Sequence, residues 1–107
     1  MVPHIVCGID HTSGGDRAAA TGAQLARDLR CEVSLVHVLR GAHLGESGDA
    51  IAIGAAEEHR WLQELSREYG LPPDTPVAVF GGDPAEALIE AAHAEDAEFI
   101  VVGSRAP

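Results

Sequence analysis

The sequence predicts an α/β domain built on a doubly wound parallel sheet, and three observations carry that prediction. Short apolar, β-branched runs alternate with longer segments of helical period. Glycine, proline and aspartate punctuate the junctions between them. The resulting order, βαβαβαβ, runs through the chain with no internal repeat and no linker, so each crossover returns the chain to the same end of the sheet.

The first strand is expected over residues 4–9 (HIVCGI), ended by Asp10 and a Thr-Ser-Gly-Gly turn. A helix follows over 16–29, with Asp16 as N-cap and Ala19, Gly22, Ala23, Ala26 and Leu29 on its inner face. Residues 32–39 (EVSLVHVL) form the second strand, and 40–49 have no period and read as a loop. The second helix covers 50–69, with Trp61, Leu62, Leu65 and Tyr69 facing inward. Gly70 sits where a C-cap glycine belongs, and Pro72 and Pro73 lie just beyond it. Residues 75–80 (TPVAVF) make the third strand. Asp83 and Pro84 then fit the N-cap and first position of a third helix, whose inner face carries Ala85, Leu88, Ile89 and Ala92. The fourth strand is 98–102 (EFIVV), followed by a turn at Gly103-Ser104-Arg105.

Right-handed crossovers with one reversal of direction give a doubly wound order, of which 3-2-1-4 is the favoured one here. Ligands in such sheets sit beyond the carboxyl ends of the strands at the point of reversal, here between strands 1 and 4. Asp10, Thr12 and Ser13 follow strand 1, and Gly103, Ser104 and Arg105 follow strand 4. This convergence points to a small-molecule site.

Composition narrows the partners. The 107 residues form one domain, 1–107, large enough for a core without disulfide or metal support. Seven basic residues, all arginine, stand against 17 acidic ones, and a net charge of -10 disfavours nucleic acid and anionic membrane surfaces. Cys7 and Cys31 have neither metal-site nor disulfide-framework spacing, as expected in a reducing cytosol, and the N-terminus has no secretion or membrane-spanning pattern, so a cytoplasmic location is expected. His4, Cys7 and His11 resemble a metal set on paper, but strand positions three apart face opposite sides, so no metal site is expected. His37 reads as a packed strand histidine, and Glu57, Glu58, Glu64 and Glu68 as the solvated face of the second helix. Asp10 is also an ordinary turn residue, and Thr12 and Ser13 are ordinary loop formers.

Three stretches resemble the universal stress protein family. Asp10-His11-Thr12 matches its first strand ending in Asp followed by x-Ser/Thr, and Leu35-Val36-His37-Val38 matches a second strand ending in His-Val. Residues 82–105 (GDPAEALIEAAHAEDAEFIVVGSR) match its third helix and fourth strand. The resemblance implies a Rossmann-like fold of the adenine nucleotide alpha hydrolase type and a regulatory role in stress response. It also implies an adenine-nucleotide site, with ATP as ligand and Mg2+ only alongside a triphosphate. Asp10 would hold the nucleoside, with Thr12 beside it, and the Val38 backbone would meet the adenine. Gly103, Ser104 and Arg105 would begin the phosphate loop. Ala106 falls where the loop's second glycine is expected, and the sequence ends at Pro107 before the third, so weak binding is expected. The family's fifth strand, through which its members dimerise, is missing as well. Either the chain is a fragment of a longer one, or the expected partner is a second copy of the chain or another strand on the exposed edge.

Two other functions are open to the sequence. One is a stress protein that works through protein contacts without nucleotide. The other is an ATP-using enzyme of the pyrophosphatase-loop type, suggested by Ser13-Gly14-Gly15-Asp16. There the acid comes one residue early, and Arg17-Ala18 stands in place of Asp-Ser/Thr. No catalytic residue is identified, and an enzyme is not expected.

Overall fold

The computed structural model describes residues 3–39 and 48–103. Four strands, β1 (His4–Gly8), β2 (Glu32–Leu39), β3 (Val77–Gly81) and β4 (Phe99–Val102), form one parallel sheet in the order β3-β2-β1-β4. Three helices connect them: α1 (Ser13–Leu29), α2 (Gly48–Glu68) and α3 (Pro84–Ala94). The fold class and strand order agree with the sequence expectation, and no fifth strand occurs among the described residues. The expected loop at 40–49 lies outside the described residues up to position 47, and α2 already begins at Gly48.

Strand alternation divides the core into two layers. Ile5, Cys7, Val33 and Leu35 pack against the inner faces of α1 and α2, including Ala19, Ala23, Leu62 and Leu65. Val6 and Val36 turn to the opposite face and meet Ala91 of α3, with Leu88 and Ala92 packed alongside. The first two crossovers run in one direction across the sheet and the third runs back, which places α1 and α2 on one side and α3 on the other.

The boundary of α1 differs from expectation. Thr12, not Asp16, is the N-cap: its backbone is extended, and its hydroxyl accepts from the Gly14 N–H. The Thr-Ser-Gly-Gly segment has turn composition, but it forms the first helical turn because that turn lies hard against its neighbours. A Cβ on Gly15 would strike the Asp10 carbonyl, and one on Gly103 would strike the Gly14 carbonyl. Glycine is needed at both places for backbone to pack on backbone. This close packing accounts for Gly15 of the pair that resembled a pyrophosphatase loop.

Three expected inner residues are exposed, among them Ala85 of α3. Leu29 of α1 is 52% exposed, as is Ile89 of α3, whose buried stripe runs through Ala87 and Ala91. A single helix covering its side of the sheet buries only a narrow stripe. At the C-terminus of α1, Arg30 adopts a left-handed conformation (φ 53°) and closes the helix by donating its N–H to the Ala26 carbonyl. Gly70 takes the positive φ expected of it, and Asp83 with Pro84 opens α3 as expected.

The amino-terminal end of the sheet is fastened by polar contacts. His4 Nε2 lies 2.8 Å from Ser34 Oγ and 2.9 Å from Glu95 Oε2, and Ser34 Oγ donates to Glu95 Oε1 at 3.0 Å. One trio thereby ties β1 and β2 to the end of α3. The carboxyl-terminal end remains open.

Candidate functional site

The open end holds a cavity of about 450 Å³, walled by the last residues of β1, β2 and β4 and by the start of α3. Asp10, Thr12, Val38 and Gly103 all line it, so topology brings together four of the six residues named from the sequence. Ser104 and Arg105 lie outside the described residues. Each lining residue is placed by a strand end. Asp10 and Thr12 follow β1, Val38 lies near the end of β2, and Gly103 follows β4, which pairs with β1 in register from Ile5↔Phe99 to Gly8↔Val102.

Asp10 has two structural roles here. Its Oδ1 accepts from the Thr12 N–H at 3.0 Å and from the Thr12 hydroxyl, while the same hydroxyl oxygen accepts from Gly14 N–H at 3.1 Å. This chain of bonds fixes the turn and caps α1, so Asp10 is a turn residue that also lines the cavity. Two helix N-termini border the same space, α1 through its cap Thr12 and α3 through its first residue Pro84. Their dipoles present partial positive charge to a ligand, offset by acidic first-turn residues Asp16 and Glu86. Apart from His11 and His37 the remaining wall is apolar, with Val36, Leu39 and Leu88 among its residues.

At the rim the structure assembles a group that sequence reasoning missed. One ligand atom from each of His11, His37 and Glu58 lies within 4.8 Å of the others. Glu58 Oε2 is 2.5 Å from His11 Nε2 and 3.4 Å from His37 Nε2. Glu58 is therefore not part of the solvated face of α2, unlike exposed Glu57, Glu64 and Glu68. His37 Nδ1 lies 2.6 Å from the Ile9 carbonyl oxygen, and Trp61 stacks on His11 with ring centroids 3.8 Å apart. His4 and Cys7 belong to no metal-capable group among the described residues. The expected order 3-2-1-4 already puts His11 and His37 at the same end of neighbouring strands. No signal in the sequence placed Glu58 with them.

Burial under α1 pushes the Cys7 thiol up from 9.0 to about 12, so it stays protonated. Among the described residues, no helix is long and apolar enough to cross a membrane.

A parallel sheet in this order, with its cavity at the point of reversal, defines a Rossmann-like α/β domain. The chain belongs to the universal stress protein family, whose model matches residues 1–107. Solved structures share the fold. A universal stress protein in complex with cAMP aligns with a TM-score of 0.73 at 17% identity, over 94% of this chain and 75% of that one. A family protein from Burkholderia pseudomallei gives 0.73 at 21% identity, over 94% and 80%. The universal stress protein from Archaeoglobus fulgidus in complex with dAMP gives 0.65 at 26% identity, over 94% and 78%. No curated protein matches the chain by sequence.

Proposed function

We propose that this domain is a cytoplasmic regulatory module of the stress response that binds an adenine nucleotide in the cavity and does not turn it over. The observation that carries the reading is the convergence of Asp10, Thr12, Val38 and Gly103 on one cavity of about 450 Å³, within the size range of small-molecule sites. The apolar wall suits the flat base, with the Val38 backbone at its edge. Asp10 suits ribose hydroxyls, and the capped start of α1 suits an anionic group. The cAMP and dAMP complexes of the two family structures support the same class of ligand.

Phosphate adds little to this affinity. The net charge of -10 opposes each added negative group, and Ala106 replaces the second glycine of the family's phosphate loop. Mg2+ enters only with a triphosphate. Calorimetric titration with adenosine, ADP and ATP tests the reading. Similar affinities for all three are expected, whereas tight, Mg2+-dependent ATP binding would contradict the weak phosphate half. Absence of heat with all three would favour a domain that acts through protein contacts alone.

A specific feature also supports assembly. Phe99, Ile100 and Val102 of β4 are 49%, 42% and 58% exposed, and β4 pairs only with β1 among the described residues. An apolar sheet edge of this kind favours pairing with a second copy or another strand. Light scattering is expected to give a mass above that of one chain, and a sharp monomer peak would count against pairing.

A further inference from the structure

We propose that His11, His37 and Glu58 form a binding site for a divalent transition metal of the zinc class at the rim of the cavity. His37 Nδ1 meets the backbone carbonyl of Ile9. A carbonyl oxygen cannot donate, so the 2.6 Å contact makes Nδ1–H the donor to Ile9 O. In the neutral ring this leaves a lone pair on Nε2, and that atom faces Glu58 Oε2 at 3.4 Å. An ionised carboxylate is also acceptor-only. Two lone-pair donors facing each other at that separation need positive charge between them, supplied by a second proton on the imidazole or by a cation.

The arrangement is that of a metal site in three further respects. First, a tetrahedral ion with bonds of ~2.0 Å holds its ligand atoms ~3.3 Å apart. The His37–Glu58 separation of 3.4 Å already meets this, and the third atom lies within 4.8 Å of both. The short His11–Glu58 contact of 2.5 Å is the hydrogen bond that a bound ion would replace. Second, the Nδ1–H bond to a backbone carbonyl is the outer contact that fixes the tautomer of a ligating histidine. Third, Trp61 holds the other imidazole by stacking on it.

The donor set selects the ion. Two imidazoles and one carboxylate suit Zn2+ and its neighbours, whereas Mg2+ and Ca2+ favour oxygen ligands throughout. Three protein ligands leave a fourth position for water or for a group bound in the cavity that His11 and His37 both line. Nothing in this argument depends on the adenine-nucleotide reading.

The test is calorimetric titration of chelator-treated protein with ZnCl2 in the absence of nucleotide, with Trp61 emission as a second readout. One zinc per chain is expected, with a change in Trp61 fluorescence through the stacked His11. His11→Gln, on a side chain 54% exposed, and Glu58→Gln are each expected to weaken zinc at least about ten-fold with unchanged far-UV circular dichroism. The exposed control His59→Gln is expected to bind as the parent does. Co2+ substitution is expected to give the intense visible bands of a tetrahedral ion. Absence of zinc binding would overturn the assignment and leave a hydrogen-bonded His–Glu cluster that docks α2. Zinc binding insensitive to both Gln substitutions, or Mg2+ binding as well as Zn2+, would overturn it equally.

Discussion

Gly22 and Cys7 are coupled across the α1–β1 interface, and the coupling reverses the sign of one substitution. A Cβ on Gly22 would overlap Cys7 Sγ, while the next nearest atom, Cys7 Cβ, lies at an ordinary 3.8 Å. In a helix interior Gly→Ala contributes about 1 kcal/mol of stability, but overpacking a filled core costs about 1–3 kcal/mol. Gly22→Ala alone is therefore expected to destabilise by about 1 kcal/mol. In a Cys7→Ala background the obstructing sulfur is gone and the new methyl fills part of its space. There the same substitution is expected to stabilise by about 1 kcal/mol, giving a coupling of about 2 kcal/mol. Urea denaturation of the four proteins, followed by far-UV circular dichroism, measures this cycle. If Gly22→Ala has the same sign in both backgrounds, with a coupling under about 0.5 kcal/mol, the packing argument is refuted.

Three further predictions concern single side chains. Cys31 is expected to react quickly with a thiol reagent while buried Cys7 reacts only on unfolding. The unfolded chain loses the Cys7 proton near 9.0 and the folded chain keeps it to about 12, so the unfolded state binds fewer protons in that window. The Cys7 contribution to stability is thus flat below 9.0 and falls as pH rises through the window, which a comparison with Cys7→Ala across pH will show. Arg30→Gly relieves a left-handed non-glycine cap at φ 53°. It is expected to stabilise by up to about 1 kcal/mol, read as a rise in Tm of a few degrees, and an unchanged or lower Tm would contradict it.

How far the sequence reached can be seen residue by residue. β2 has its expected limits because an apolar, β-branched run buried on both faces leaves little choice of register. The start of α1 was hidden because Gly14 and Gly15 look like a turn. Their actual role, close approach to Asp10 and Gly103, exists only once β1 and β4 are side by side. Ile89 obeys the helical period but faces solvent, since the period does not say how wide a stripe the neighbouring layer covers. Asp10, Thr12 and Gly103 were legible because strand order sends them to one rim, whereas Val38 was named only through the family resemblance. The His11–His37–Glu58 group required, in addition, the rotational setting of α2 against the sheet, a tertiary property that spacing in the chain does not encode.

The central claim, an adenine nucleotide held at the carboxyl ends of the strands, is tested most directly by a two-dimensional ¹H–¹⁵N NMR titration with AMP. The account predicts shifts concentrated on the amides of Asp10, Thr12, Val38 and Gly103, with the opposite end around His4 and Ser34 unmoved. Shifts confined to other surfaces, or none at saturating AMP, would contradict it.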